Sequence, residues 1–170
     1  MNDTRATAEA AQLRHFSASL PMLLLRAREA VMVRFRAMLK AQGVTEQQWR
    51  VLRALATRPT FEIPELVAAT FLLAPSLSRI LADLEAAGLI VVGPHKTDQR
   101  RKVIRLAERG AQLIAETAPL SEAIYADISA RIGAERLDAL QRLLEEVEDA
   151  LQTGDAVPAP AALDKTDPGA

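Results

Sequence analysis

Apolar residues recur at helical spacing along most of this 170-residue chain, but the period changes abruptly after Gly88. Two short β-rich runs, at 89–92 and 102–106, follow that glycine and are separated by nine mostly polar residues. Such a pair of runs predicts a β-hairpin with a long, charged tip. The chain is therefore expected to fold as helices that carry one small hairpin.

Helix signals surround the hairpin on both sides. Thr45 and Gln48 form a capping-box pattern, and Gly43 is suited to end the preceding helix. Before the hairpin, the apolar spacing and the positions of proline predict helices at about 21–42, from Thr45 to just before Arg58, at 63–70 and at 75–88. After it, they predict helices at 108–131 and 134–152.

Composition agrees with a mainly α fold that carries a small β-hairpin wing. Only 4% of the residues are aromatic and leucine and alanine dominate, which favours helices over sheets. The absence of cysteine excludes disulfides and thiolate metal sites. The N-terminus lacks a signal-peptide pattern and no apolar run reaches about 18 residues, so we expect a cytoplasmic protein.

The ends of the chain differ from its middle. We predict a flexible N-terminal arm at 1–19, one folded domain at 20–153, and a disordered tail rich in proline and small residues at 154–170. Within the domain, a winged lobe at about 45–107 lies between helices at about 20–42 and 108–152. These outer helices are too apolar for solvent, so a dimer interface or a shared core must cover them.

Charge is unevenly distributed along the chain. Residues 1–107 carry 16 basic and 9 acidic side chains, a net charge of +7, whereas residues 108–170 carry 5 and 13, a net charge of −8. This asymmetry indicates either a basic surface that meets a polyanion or solvated helix faces that are unequally charged.

The order of short helix, tight turn, second helix and basic hairpin is that of a winged helix-turn-helix. The second helix of such a module enters the major groove of DNA, where each base pair shows a distinct donor and acceptor pattern. Arg79 has the fork geometry for bidentate bonds to guanine, although a solvated helix surface is the alternative. With Leu77 directed inward, the candidate DNA-contacting residues of this helix are Pro75, Ser76, Ser78 and Arg79.

The predicted wing tip concentrates positive charge. One acid, Asp98, lies two residues before Arg100 and is placed to hold its guanidinium. A solvated hairpin tip is again the alternative, but helix and wing occur in the order that DNA binding requires. The candidate DNA-contacting residues of the wing are His95, Lys96, Asp98, Arg100 and Arg101.

The stretch LADLEAAGLIVVGPHKTDQRRKVIRLAERG, residues 81–110, resembles the multiple antibiotic resistance regulator (MarR) family. Residues 23–56 resemble one branch of it, the homoprotocatechuate-degradation operon regulators. The resemblance implies a homodimer with interlocked N- and C-terminal helices, in which each subunit binds half of a palindromic operator in double-stranded DNA. It also implies a repressor of aromatic-acid catabolism genes that a small phenolic or aromatic acid releases.

In that family, aromatic acids bind between the dimer helices and the DNA-binding lobe. An arginine there would bind a carboxylate by two parallel hydrogen bonds, and an indole would stack on the ring. The alternative is that the tryptophan belongs to the core and that the arginines pair with Glu29, Glu46 or solvent. The candidate ligand-binding residues are Arg26, Arg28, Trp49, Arg50 and Arg53.

No catalytic arrangement is recognisable in the sequence. His15 and His95 fall in the arm and the wing, and the four acids within 145–149 surround a helix instead of converging. Metal-ligand spacings and a phosphate-binding glycine loop are also missing, so we expect neither enzyme activity nor a cofactor. The alternative function is a helical dimeric protein-interaction module without sequence-specific DNA binding.

Overall fold

The computed structural model describes residues 15–95 and 101–152, in which six α-helices and three short strands follow a 3-10 turn at Phe16–Ala18. The elements are α1 (Leu20–Ala41), α2 (Glu46–Leu55), β1 (Phe61–Glu62), α3 (Ile63–Thr70), α4 (Ala74–Ala86), β2 (Ile90–Pro94), β3 (Lys102–Leu106), α5 (Glu108–Ile132) and α6 (Ala134–Gln152). Most of the predicted arm, the wing tip and the tail lie outside the described residues.

The predicted helix boundaries are confirmed by the capping geometry. Thr45 Oγ1 accepts from the Gln48 amide at 3.1 Å, and the Gln48 side chain accepts from the Thr45 amide at 2.9 Å. Gly43 and Gly88 adopt φ values of +70° and +68° where α1 and α4 have ended. Glycine reaches this left-handed region without the Cβ clash that other residues meet.

The wing is part of a three-stranded antiparallel sheet in the order β1-β3-β2. The sequence predicts two of these strands and misses β1, whose Phe61 pairs with Ile104 of β3. A strand of two residues is too short to show the alternation by which strands are recognised. The predicted hairpin of β2 and β3 is confirmed, and β1 extends it to three strands by pairing with the other edge of β3.

The helices α3 and α4 form the helix-turn-helix, and their axes differ by 107°. The turn between them contains Phe71, whose φ of 53° is the one positive value at a non-glycine residue in the described chain. Both helices hold fully buried leucines, Leu66 and Leu77, and α3 packs on β3 while α4 packs on β2. This core positions α4 relative to the wing.

The chain divides between Ile128 and Ser129 into two compact units. In the first unit, α1 packs Phe35 against Tyr125 of α5, with ring centroids 5.1 Å apart, but the first half of α1 leaves several leucines exposed. In the second unit, α6 buries no residue, and five of its large apolar side chains are exposed: Leu140, Leu143, Leu144, Val147 and Leu151. Among the described residues, no single helix is long and apolar enough to cross a membrane.

Candidate functional site

The recognition helix α4 presents one apolar and one polar face, as predicted. Leu77, Ile80, Leu81 and Leu84 are buried, because their three-and-four spacing places them on the side toward the core. The four predicted DNA-contacting residues of this helix are all exposed: Pro75, Ser76, Ser78 and Arg79.

The polar side chains of α4 differ in how much bonding capacity they have left. The Ser78 hydroxyl donates to the Ala74 carbonyl at 3.0 Å, so in this rotamer it is left to accept a hydrogen bond from a partner. Arg79 makes no hydrogen bond or ion pair within the part of the chain that the structure describes. Its five donors therefore remain available to a ligand.

The root of the wing is fixed by both backbone and side-chain bonds. The His95 amide donates to the Arg101 carbonyl at 2.9 Å, which continues the β2–β3 ladder beyond Pro94. The Arg101 guanidinium binds both carboxylate oxygens of Glu62, with Nε 3.1 Å from Oε2. The predicted contacts Lys96, Asp98 and Arg100 lie outside the described residues.

Glu62 belongs to a small charged cluster beneath the wing. The Glu65 carboxylate accepts from the Glu62 amide at 2.6 Å and from Arg58 at 2.8 Å. These bonds, the first above all, lower the pKa of Glu65 below its ordinary value. Arg58 also stacks over the Phe61 ring, 3.7 Å from its centroid. The cluster joins β1, α3 and β3, so wing and helix-turn-helix are held as one lobe.

A cavity of about 460 Å³ borders the helix-turn-helix at the end of α3. The helices α1, α2, α3 and α5 contribute to its wall. The lining residues are Arg28, Met32, Glu46, Trp49, Arg50, Arg53, Ala69, Thr70, Phe71 and Tyr125. Four of the five predicted ligand-binding residues are thus brought together.

The three arginines of the cavity have different partners. Arg28 binds the Glu46 carboxylate at 3.0 Å, and Arg50 donates to the Thr70 carbonyl at the same distance. Arg53 has no hydrogen bond or ion pair anywhere in residues 15–95 and 101–152. The cavity therefore offers one uncommitted cation next to the half-buried Trp49.

Glu46 is the acid that balances these cations. Its pKa is held below the ordinary value chiefly by the hydrogen bond from Arg36, at 2.7 Å, and further by the bond from Arg28. Arg36 also binds Glu29, which raises the pKa of its own guanidinium. The predicted alternative of arginines paired with Glu29, Glu46 or solvent thus describes Arg28, which binds Glu46, and stays open for Arg53, which is exposed.

One residue that the sequence predicts to bind a ligand lies outside the cavity, and several residues that line the cavity were not predicted. Arg26 is exposed and does not line the cavity, since two residues along a helix is a rotation of about 200° from Arg28. Met32 was missed although it lies one turn after Arg28, on the same face. Phe71 and Tyr125, the only tyrosine in the chain, gave no local signal of joining the site.

The described residues contain no group of three or more His, Asp or Glu side chains placed to hold a metal ion. The geometry is instead that of an exposed helix and wing next to a cavity with a cation and an indole. Such an arrangement can bind a polyanion on one surface and a small anion on another.

Comparison with known proteins identifies the family. A model of the MarR family matches residues 42–101. The HTH-type transcriptional regulator FarR of Neisseria gonorrhoeae is 38% identical over 139 residues, which cover 80% of this chain and 95% of FarR. The chain belongs to the MarR family. Regulators of this family bind operator DNA, typically as dimers.

Two further MarR-family relatives narrow the resemblance. The homoprotocatechuate degradative operon repressor of Escherichia coli is 39% identical over 128 residues, covering 75% of this chain and 86% of the repressor. The crystal structure of NadR in complex with 4-hydroxyphenylacetate has a TM-score of 0.68 and 36% identity, covering 79% of this chain and 96% of NadR. The predicted winged helix-turn-helix, family and branch are confirmed, and so is the assignment as a regulator, not an enzyme.

Proposed function

We propose that this MarR-family chain is a ligand-responsive repressor of genes for the breakdown of aromatic acids. In this proposal a homodimer binds a palindromic operator, and a small phenolic or aromatic acid releases it. Two relatives support the effector class: one is a repressor of a homoprotocatechuate degradative operon, and the other was crystallised with 4-hydroxyphenylacetate.

The observation that carries the proposal is Arg53, which lies without a partner among the described residues on the wall of a 460 Å³ cavity beside Trp49. A guanidinium binds a carboxylate by two parallel hydrogen bonds, and an indole packs against an aromatic ring. An aromatic acid therefore satisfies both groups. A neutral aromatic molecule would leave the cation unpaired, and an aliphatic acid would leave the indole without its stacking partner.

The cavity is also well placed to influence DNA binding. Thr70 and Phe71 form part of its wall, and α4 begins three residues after Phe71. Arg50 links the cavity to this turn through its bond to the Thr70 carbonyl. An acid that favours one arrangement of this wall shifts the population of recognition-helix positions, and only by its difference in affinity for the two states.

The apolar surface that the described chain leaves exposed supports dimerisation. The start of α1 and the length of α6 carry leucines that are between 39% and 74% exposed, and a second copy would cover them. A two-fold dimer then presents two copies of α4 to DNA, with half-sites about 10 bp apart, one turn of the duplex. This spacing is what an effector must disturb to release the operator.

The test is an operator-release titration. Fluorescence anisotropy of a labelled duplex from the upstream intergenic DNA should show binding, and hydroxyphenylacetic, protocatechuic and cinnamic-type acids are then titrated in. We expect one class of acid to displace the duplex. Arg53→Gln should bind the duplex like the wild type but require at least tenfold more acid for release, since a charged hydrogen-bonded pair contributes about 1.5–3 kcal/mol.

The matched control is Arg142→Gln, which removes the same charge from an exposed position on α6, on the side of the helix opposite the exposed leucines. It should leave both duplex affinity and acid response unchanged. If the acid released the duplex from Arg53→Gln at the same concentration as from the wild type, the acid would not act through this cavity. A protein that stayed monomeric or ignored the duplex would contradict the repressor itself and favour the protein-interaction module.

A further inference from the structure

Leu73 is a large apolar side chain at the start of the recognition helix, and it is 76% exposed. It is the N-cap residue of α4 and makes no side-chain capping bond within the described chain. Serine, threonine, aspartate and asparagine stabilise this position, because a side-chain oxygen accepts from the free amides, whereas leucine cannot. Leu73 therefore contributes neither to the helix start nor to the core.

The turn that contains Leu73 places three consecutive apolar side chains in three different surroundings. Phe71 lines the cavity, although it is 79% exposed, and Leu72 is buried in the core at 7% exposure. Leu73 belongs to neither and is exposed together with the first turn of α4. The requirements of the fold and of the cavity thus account for Phe71 and Leu72 but not for Leu73.

The surface around Leu73 is continuous with the predicted DNA-contacting face. Ala74, Pro75 and Ser76 follow it, all exposed, and the first turn of α4 holds no acidic residue. In helix-turn-helix proteins the N-terminal residues of the recognition helix contact base edges in the major groove. An uncharged apolar group at this point has one counterpart there, the 5-methyl group of thymine.

We propose that Leu73 determines operator specificity by packing against the 5-methyl group of a thymine in each half-site. This inference rests on the proposed function, since it requires that α4 enters the major groove. Burial of a methyl group against a leucine removes both from water and is favourable. At any other base the leucine would cover donors or acceptors that then lose their water, which is unfavourable. Leu73 therefore selects thymine without a hydrogen bond.

Deoxyuridine differs from thymidine by this methyl group alone and isolates the contact. Operators are first selected from a random duplex library with the full-length protein. Each thymine of a half-site is then replaced by deoxyuridine, one position at a time in both half-sites. For the wild type we expect one position at which affinity falls about fourfold per half-site, which is the effect of one buried methyl group expressed as a ratio.

The decisive variant is Leu73→Ser, which removes the apolar group and supplies a capping hydroxyl. It should bind thymine and deoxyuridine duplexes equally, while its melting temperature rises because the start of α4 is now capped. A merely structural role for Leu73 would lower the melting temperature and leave the preference for thymine intact. If Leu73 contacts the thymine methyl group, Leu73→Ser loses the preference for thymine and melts at a higher temperature. If its role is structural, the variant keeps the preference and melts at a lower temperature.

Leu120→Ser is the control, since Leu120 is an exposed leucine of α5, at 48% exposure, in neither the cavity nor α4. It should keep the wild-type preference for thymine. If no thymine position depends on its methyl group, or if Leu73→Ser retains the dependence, the inference is overturned while operator binding stands. If the selection yields no specific duplex, the proposed function fails first, and the inference fails with it.

Discussion

Gly110 is expected to tolerate no side chain, not even a methyl group. It lies in the first turn of α5, is buried, and faces the backbone of Leu89, the residue before β2. A Cβ built on Gly110 would lie 2.1 Å from the Leu89 oxygen and 3.2 Å from Leu106 Cδ2. Since carbon and oxygen in close contact stay about 3.3 Å apart, α5 or β2 must move by roughly 1 Å in Gly110→Ala.

The expected cost follows from three contributions. Overpacking against a backbone atom costs about 3 kcal/mol, the upper end of the usual range, because a carbonyl has no rotamer by which to move away. That carbonyl also accepts from the Ala107 amide at 3.1 Å, a bond worth about 1 kcal/mol that the shift strains. Alanine is about 1 kcal/mol more favourable than glycine within a helix, which offsets part of this loss of stability. Gly110→Ala should therefore be destabilised by about 3 kcal/mol.

Thermal and urea denaturation followed by circular dichroism would measure this loss, at one fixed protein concentration because dimerisation contributes to stability. A loss of this size lowers the melting temperature by roughly 6–12 °C in a domain of this length. Gly93→Ala is the matched control: a Cβ there meets nothing within 4 Å, and the change should be neutral or slightly stabilising. If Gly110→Ala melted at or above the wild-type temperature, helix propensity would outweigh the contact and the packing account would be refuted.

Two further predictions concern charge and base recognition. The pKa of Glu46 is lowered in the folded state, mainly by Arg36, so its contribution to stability is full above the unfolded value of 4.5 and is lost as the pH falls through the lower folded value. Glu46→Gln should therefore lower the urea midpoint relative to the wild type at neutral pH, but not at a pH below the folded pKa of Glu46. An equal difference in midpoint at both pH values would contradict this. Arg79→Ala should weaken operator binding by about 1–3 kcal/mol and relax preference at one base pair. Binding to single-base operator variants measures this, and an unchanged preference would exclude direct readout by Arg79.

Local patterns in the sequence were sufficient for the helices and for the exposed face of α4. Thr45 and Gln48 are three residues apart and bond each other directly, so their effect is readable from the sequence alone. The burial of Leu77 and the exposure of Arg79 follow equally from the helical period. These features depend on neighbours within one or two turns.

The features that the sequence did not reveal depend on residues far apart in the chain. Glu62 and Arg101 are 39 positions apart, and nothing local indicates that β1 brings them together. The cavity similarly joins Arg28 on α1 to Tyr125 on α5, so its full lining requires the tertiary structure. The position of Arg26 outside the cavity is different, because the helical period alone separates it from Arg28.

The pairing of Arg101 with Glu62 has a consequence for how this protein responds to ionic strength. Each phosphate that a protein cation neutralises releases about 0.9 of a condensed counterion, and the salt dependence of affinity counts these events. A guanidinium that already shares its charge with a carboxylate displaces fewer ions than a solvated one. The slope of the logarithm of operator affinity against the logarithm of salt concentration should therefore be smaller than a count of the basic side chains on the wing predicts. The difference should be about one phosphate contact.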